Sequence, residues 1–314
     1  INGVVLRDWS VQDPNGFARF NGADNRPIYD ANSKLTYLSD YSKVTNEDGT
    51  VVYNPKYKNM PNAYVLENTS KGYGYSASIT VNMEPVEGLR LMAAYTHTAS
   101  KELTSMPGSN ASSVLNYMGT VNGPNNPGLH NSQNVTPDRF IASLTHSDRS
   151  GNHYSFIYET WRGGYNYGYM TSNDINNDGF NYDLIYIPTD EQVANREFRF
   201  VSDDDAARFM DYVHADKYLS KHQGEYAETY SVYSPWVHRL DFSYKHDFSV
   251  KVGRSTNTLQ LSLDVKNLLN LFNSSWGVIK YLNPALGSDQ PRVLKYEGVD
   301  KDGYATFSTP KSVS

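Results

Sequence analysis

Two stretches near the C-terminus alternate apolar and polar residues with a period of two. In residues 236–248, WVHRLDFSYKHDF, one face carries Trp236, Leu240, Phe242, Tyr244 and Phe248, with His238 and His246 among them. The other face carries Arg239, Asp241, Ser243, Lys245 and Asp247. Residues 259–269 repeat the scheme. Because successive side chains of a strand point to opposite faces, the pattern predicts two long strands, each with one apolar and one charged face.

Four more strands are predicted from similar signals, at residues 73–83, 89–100, 139–147 and 152–161. Short polar links join the strands into hairpins, at residues 84–88, 148–151 and 249–257. The connections between hairpins are long and polar, at 102–138 and 162–234. Bacterial outer-membrane barrels connect their strands in this way, with short periplasmic turns and long extracellular loops.

The sequence therefore predicts an all-β fold: an antiparallel transmembrane β-barrel, of which this chain supplies a C-terminal portion. Strands 89–100, 152–161 and 259–269 would run outward, and loops 102–138 and 162–234 would lie outside the cell. The chain starts at Ile1 without an initiator Met or a signal peptide, so we expect it to be a segment of a longer protein. An ordinary soluble β domain with insertions is the alternative interpretation.

Composition excludes some classes of protein. The net charge of −6 argues against a nucleic-acid binder. No apolar run approaches the roughly 18 residues that a spanning helix needs, and the mean hydropathy is −0.61. This value does not argue against a barrel, because only alternate strand residues meet lipid. Tyrosine is abundant, with 26 of 314 residues, and suits strands, membrane interfaces and ligand-binding surfaces.

One short helix is predicted within the second long loop, at residues 203–215. Its first turn is acidic, which complements the helix dipole. Ala206, Phe209, Met210 and Val213 fall on one face at helical spacing. We expect this apolar stripe to pack on the loop or on the barrel rim, with a partner-binding helix as the alternative.

A calcium site is predicted in the same loop, in the sequence NDINNDGFNYD of residues 173–183. Asp174, Asn176 and Asp178, followed by Gly179, match the first half of an oxygen-ligand calcium loop. Ile185 occupies the position of the usual bidentate Glu, so Asp183 would have to substitute for it. A plain turn is the alternative, because Asp, Asn and Gly are also the common turn residues.

Two aromatic clusters are the predicted ligand-binding residues, because aromatic rings beside amides suit sugars, peptides and other amphipathic ligands. The first cluster contains Trp161, Tyr165, Asn166, Tyr167 and Tyr169. The second contains Tyr226, Tyr230, Tyr233 and Trp236. Alternatively, these tyrosines form the outer aromatic girdle or brace the loop. The residues expected to line the lumen and to pair across strands are Arg239, Asp241, Lys245, Asp247, Asp264 and Lys266.

The sequence does not predict an enzyme. It has no HExxH, GxSxG, Walker A or GxGxxG motif, and only eight His residues. Its acidic clusters are explained by turn chemistry and by the helix dipole.

Several segments resemble the C-terminal barrel of TonB-dependent outer-membrane receptors of the Bacteroidetes, close to the Oar-like branch. In chain order, the matching segments are YVLENT of 64–69 with KGY of 71–73, AYT of 94–96, SKEL of 100–103, DRF of 138–140, GGY of 163–165, the acidic loop 174–179, DLIYIP of 183–188, DKYL of 216–219 with Gly224 and Ala227, Pro235 and Trp236 before Leu240 and Asp241, and DVKNLLN of 264–270. The resemblance covers roughly residues 60–300, and the order and spacing of the motifs carry it.

The resemblance implies a barrel of about 22 strands occluded by an N-terminal plug. It implies energy-coupled import of a scarce ligand, such as a glycan, peptide or chelate, across the outer membrane. The implied partners are TonB, reached through a plug that this chain lacks, the lipid of the membrane, and in some cases a surface lipoprotein. The chain departs from the family at Thr309–Ser314, where such barrels usually end on a strand with a terminal aromatic residue. A passive porin, an adhesin and a soluble β-rich binding module are the alternative functions.

Overall fold

The computed structural model describes residues 3–8, 17–29, 43–53, 64–105, 108–280 and 290–313. The strands are β1 Gly3–Asp8, β2 Lys43–Thr45, β3 Val51–Tyr53, β4 Tyr64–Thr69, β5 Tyr73–Val86, β6 Leu89–Glu102, β7 His130–Asn131, β8 Asp138–Ser147, β9 Asn152–Arg162, β10 Asn166–Tyr167, β11 Met170–Thr171, β12 Tyr186–Ile187, β13 Arg199–Phe200, β14 Glu225–Tyr226, β15 Val232–Tyr233, β16 Val237–Val252, β17 Ser255–Val265, β18 Arg292–Val299 and β19 Ala305–Ser308. The helices are α1 Ala111–Tyr117, α2 Asp190–Ala194 and α3 Asp203–Ala215, with 3-10 turns at Leu219–Lys221 and Leu268–Leu271.

Six long strands form one antiparallel sheet, here called the main sheet, in the order β17-β16-β9-β8-β6-β5. The short strand β7 pairs with the end of β6. These six strands are those that the alternating sequence predicts, and the all-β, largely antiparallel class is confirmed. Every tight turn lies at one end of the main sheet, and both long connections lie at the other end.

Three predicted boundaries are wrong by a few residues. The link at 249–257 is mostly strand, because β16 continues to Val252 and β17 begins at Ser255. Residues 255–258 are all polar, so they carry no alternation that would reveal the strand. The predicted strand 259–269 ends at Val265, where Asn267 adopts a left-handed φ of 53° and the chain turns into Leu268–Leu271. The predicted link 84–88 is largely strand, since β5 reaches Val86 after a register irregularity.

The strand register places most of the large apolar side chains of the main sheet on one face. Ile79 lies opposite Tyr95, which in turn lies opposite Phe140 on the next strand. In the same way, Met83 lies opposite Leu91, and Leu91 lies opposite Leu144. This apolar face is exposed: Ile79 is 66% and Leu261 is 65% accessible. Every residue of β5 is exposed, on both faces.

The opposite face, here called the polar face, carries hydroxyl and charged side chains that pair across strands. Ser78 and Thr96 share a hydrogen bond of 2.8 Å. Lys266 lies 3.4 Å from Asp241, as the sequence predicts for residues of one face. The remaining residues of the predicted lumen set also lie on this face: Arg239, Lys245, Asp247 and Asp264.

The end of the main sheet that carries the long connections is here called the loop end. There, the short elements form a compact unit with its own core, here called the loop domain (residues 17–29, 163–234 and 290–313). Strands β11, β18, β19 and β13 make a four-stranded sheet in which the two outer pairings are parallel. Completely buried core residues come from distant segments: Ile185, Ile187, Phe209, Val293 and Leu294. The second long loop is therefore a folded unit that also recruits the segments 17–29 and 290–313.

Helix α3 packs its apolar stripe into this core, which agrees with the prediction that the stripe packs on the loop. Phe209 and Val213 have no exposed surface, and Met210 is buried beside them. Ser202 caps the first turn by accepting a hydrogen bond from the Asp205 N–H. Since the stripe is already covered, the partner-binding alternative for this face is wrong.

No helix among the described ranges is long and apolar enough to cross a bilayer.

Candidate functional site

The two predicted aromatic clusters meet in the loop domain. Strands β10 and β15 pair antiparallel, which places Asn166 opposite Tyr233 and Tyr167 opposite Val232. The residues of the two clusters are thus neighbours in space, although they lie about 60 positions apart in the sequence. Their exposure differs widely, and it separates the residues that a ligand could reach from those that hold the fold.

Tyr169 is a bracing residue. Its ring is buried among Tyr167, Tyr212 and Tyr218, with centroid distances of 5.9 to 6.3 Å. Its hydroxyl donates to Asp216 Oδ2 at 2.7 Å. Burial, with the nearby Tyr212 and Asp216, raises the pKa of Tyr169 far above its usual value of 10.0. Tyr167 is partly buried against it, and burial raises its pKa as well.

Asn166 and Tyr230 fix the backbone of neighbouring loops. Asn166 is 3% exposed, and its side-chain amide donates to the carbonyls of Ser132 and Val135. Tyr230 is 1% exposed, adopts a left-handed φ of 52° and packs edge-on against His130 at 5.6 Å. Both side chains are committed to packing.

Tyr226 covers the buried ion pairs that Arg26 forms with Asp24 and Asp183. Its ring stacks edge-on against Tyr186 at 5.1 Å, and the Arg26 guanidinium lies 5.3 Å from its centre. Its hydroxyl donates to Asp24 Oδ1 at 3.0 Å. Burial and Asp24 raise the pKa of Tyr226 above its ordinary value.

Three predicted residues remain accessible at the boundary between the loop domain and the main sheet. Tyr165 is 54% exposed in the turn after β9. Tyr233 is partly buried, with the Arg162 guanidinium 5.1 Å from its ring centre. Trp161 lies at the loop end of the polar face, with the Arg239 guanidinium 5.8 Å from its ring centre. Tyr165 is the most accessible of the three, Trp161 and Tyr233 are partly exposed, and the strand register places Trp161 on the polar face.

A charged group lies beside Trp161 on the polar face, and two of its three residues, Arg139 and Glu159, were not predicted from the sequence. Arg139 donates through Nε to Glu159 Oε1 at 2.9 Å, and Arg239 donates through Nη2 to Glu159 Oε2 at 3.0 Å. The Glu159 carboxylate of β9 thus binds two half-exposed guanidinium groups, one from each of the flanking strands β8 and β16. The signal was present, because Arg139, Glu159 and Trp161 all fall on the polar period of their strands, but only the register brings them together.

The predicted calcium loop folds as a tight turn in which carboxylates accept from backbone N–H groups. Asp174 accepts from the N–H of Asp178 at 3.1 Å and of Gly179 at 2.8 Å. Asp178 and Asn176 are buried within the turn. These bonds are those of a turn, and calcium remains a prediction at Asp174, Asn176 and Asp178. In the ranges that the structure describes, no group of three or more His, Cys, Asp or Glu residues is arranged to hold a metal ion.

Asp183 has a cationic partner of its own. Arg26 is fully buried, forms two bonds with Asp24 at 2.9 and 3.0 Å, and reaches Asp183 Oδ1 at 3.4 Å. The other oxygen of Asp183 accepts from the Ile175 N–H at 2.9 Å. Burial, and then the Asp178 charge, raise the pKa of Asp183 well above 3.8 despite Arg26. A cation bound through Asp183 would lie close to this guanidinium, and their repulsion would weaken its binding.

Aromatic rings are concentrated at both ends of the apolar face. At the loop end, Tyr73 stacks beside Tyr75, and Phe140 lies 6.3 Å from Tyr158. Near the turn end of β9, Tyr154 lies 5.1 Å from Tyr244. The space between them is apolar and contains a shallow groove of about 310 Å³ over Ala93 and Ala142.

Comparison of the chain with protein-family models, with curated proteins and with solved structures gives no match.

Proposed function

We propose that the main sheet is part of the wall of a transmembrane β-barrel in the bacterial outer membrane. We further propose that the protein is a TonB-dependent transporter that imports a scarce ligand such as a glycan, peptide or chelate. One observation carries the proposal: a six-stranded sheet exposes a continuous apolar face bounded by aromatic rings, while its opposite face is polar. Soluble monomers rarely expose apolar patches larger than a few hundred Å².

The strand lengths support membrane embedding. A spanning β-strand needs about 9–11 residues when tilted, and the shortest of the six strands, β8, has 10 residues. Aromatic rings at both ends of an apolar band are the arrangement of outer-membrane barrels, where they lie at the two lipid interfaces.

The outermost strands support a larger barrel rather than a finished sheet. All residues of β5 and all but the last of β17 are exposed, and among the described strands each has a neighbour on one side only, so one row of its backbone N–H and C=O groups has no partner strand there. Such rows are costly in hydrocarbon, and closure of a barrel pairs them. Strands outside those described would supply the pairing.

The polar face then lines the lumen, and the loop domain lies over its outer mouth. Trp161, Tyr165 and Tyr233 are positioned where an entering ligand would first meet the lumen wall, next to the paired guanidinium groups of Arg139 and Arg239. Aromatic rings beside charge-assisted donors suit ligands with both a ring face and acidic or hydroxyl groups. The resemblance to TonB-dependent receptors supports active import over passive diffusion.

The native size of the polypeptide and its conductance test this proposal together. An antibody against residues 102–138 should detect an outer-membrane polypeptide several-fold larger than 35.4 kDa, since a plug and further strands are required. In planar bilayers containing KCl, the purified native protein should remain closed, because a plug occludes the lumen.

A native band near 35.4 kDa together with open channels would instead establish a passive porin. A band confined to the soluble fraction would overturn the barrel itself.

A further inference from the structure

A pocket of about 340 Å³ opens at the loop end of the apolar face, between Trp236 and Trp276. Its walls include His238, Leu269, Val278 and Lys280. Trp236 lies on the apolar face, because its ring stacks beside His238 of β16 at 6.5 Å. Its lining shares Trp236 with the second predicted aromatic cluster and contains no residue of the first cluster.

The segment after β17 is built to hold Trp276 in place. Asn267 and Asn270 both donate their side-chain amides to the carbonyl oxygen of Trp276, at 3.3 and 3.1 Å. Gly277 adopts a left-handed φ of 69°, and a Cβ there would lie 2.0 Å from Asn267 Oδ1. Asn267 is itself tied to β16, because its N–H donates to Asp241 at 2.8 Å. A pocket wall fixed by three separate features is preorganised.

The surface around the pocket is apolar and unusually exposed. Leu271 and Phe272 are 74% and 77% accessible, and Trp236 and Trp276 are 45% and 48% accessible. These side chains continue the apolar face toward the loop domain. On the proposed barrel, this is the level of the outer lipid headgroups, where Trp is enriched because its ring is apolar and its N–H is polar.

The pocket wall also carries one positively charged side chain, that of Lys280. Lys280 is exposed and forms no ion pair within the ranges that the structure describes. His238 engages its Nδ1 with the Tyr158 hydroxyl at 2.8 Å, so its Nε2 remains directed elsewhere. An ammonium group and two Trp rings beside an apolar wall suit the phosphate group of an acylated lipid.

We propose that this pocket binds the headgroup of a phosphorylated, net-anionic lipid, with Lys280 facing the phosphate and Trp236 and Trp276 enclosing the adjoining acylated part of the lipid. The inference rests on the proposed function, because it requires the apolar face to lie in a bilayer. The site would fix the depth of the barrel at its outer rim.

Native mass spectrometry of the full-length protein tests the site. The protein is released from detergent after incubation with equal amounts of phosphatidylglycerol and phosphatidylcholine. We expect preferential retention of phosphatidylglycerol, and about a fivefold loss of that retention in Lys280→Gln, as expected for one basic group at a lipid surface. The matched control Lys301→Gln removes a Lys in the turn between β18 and β19 and should retain the lipid like the wild type. The double variant Trp236→Ala/Trp276→Ala should lose both lipids.

Two outcomes would overturn the lipid site while leaving the barrel intact. One is retention of phosphatidylglycerol by Lys280→Gln at the wild-type level in protein that still co-floats with vesicles. The other is displacement of the lipid by millimolar inorganic phosphate, which would identify a site for free anions. Failure of the wild-type protein to co-float with vesicles would instead refute the proposed function.

Discussion

The main sheet and the loop domain use the same residue types in opposite ways. In the loop domain, short strands of two to eight residues surround a core in which Phe209 and Leu294 have no exposed surface. In the main sheet, strands of 10 to 16 residues expose their apolar side chains, and Leu259 is 71% accessible. One region therefore buries its apolar side chains in its own interior, and the other leaves an apolar face uncovered among the described residues.

The difference shows that the sequence pattern of each region matches the way in which its apolar side chains are buried or exposed. The strands of the main sheet largely alternate, so most of their apolar side chains lie on one face, with no partner layer in the described ranges. The loop domain has clustered apolar residues, such as 184–187, which read Leu-Ile-Tyr-Ile and are all buried. Clustering indicates a closed core, whereas alternation indicates a surface between two environments.

The largest effect is expected from truncating the core of the loop domain. Phe209→Ala should lower its free energy of unfolding by about 3–5 kcal/mol, because the ring is fully buried and its removal leaves a cavity. The measurement is proteolytic cleavage within residues 163–234 of the full-length protein in increasing urea. Phe272→Ala is the matched control, and equal effects of the two variants would refute the contrast between the regions.

A charge on the apolar face is expected to have the next largest effect. Leu261→Arg should destabilise the membrane-inserted protein by about 2–4 kcal/mol, the cost of Arg on a lipid-facing strand near the bilayer centre. The control is Gln260→Arg, one residue away on the polar face, where Asp247 can accept from the new guanidinium. Urea midpoints after refolding into lipid vesicles provide the measurement. If both variants insert equally well, the apolar face does not contact lipid.

A smaller effect should separate bracing from accessible tyrosines. Tyr169→Phe removes a buried hydroxyl, so that Asp216 Oδ2 loses this hydrogen-bond donor. The loss should lower the free energy of unfolding by about 1–3 kcal/mol. Tyr165→Phe, at an exposed turn, should change the free energy of unfolding by less than about 0.5 kcal/mol. The urea and proteolysis measurement described above distinguishes the two variants. A large loss in Tyr165→Phe would place that side chain with the structural residues.

The sequence predicts the main sheet well because each strand carries its own alternation. It misses the ends where that local signal fails, as at the all-polar residues 255–258. The loop domain is harder to predict, since most of its strands have only two residues and carry no period. The parallel pairing of β11 with β18 joins segments more than 100 residues apart, which only the tertiary fold decides.

The candidate site follows the same rule. The sequence identifies the aromatic clusters because their members are close along the chain, but it cannot show which rings are buried. The Arg139, Glu159 and Arg239 group requires the register of three strands. The Arg26 and Asp183 pair links positions 157 residues apart and has no local pattern at all.

The smallest effect is expected from the pH dependence of the contact between α3 and the C-terminal segment. Asp205 accepts from the Thr309 N–H at 2.9 Å and from Arg208 at 2.6 Å. Burial alone would raise its pKa, but the hydrogen bonds from Ser202 and Thr309, together with Arg208, outweigh burial and hold the pKa below 3.8.

Because the folded state binds this proton more weakly than the unfolded state, the stabilising contribution of Asp205 is present above about pH 4 and is lost as the pH falls through the lowered pKa. Asp205→Asn removes that titration. The variant should be less stable than the wild type at neutral pH, and the difference should narrow on acidification, as followed by the urea midpoint of the loop domain. Asp211→Asn, on the exposed side of α3, controls for the change in net charge. A difference between Asp205→Asn and the wild type that stays constant from neutral to acid pH would show that the carboxylate acts through packing alone.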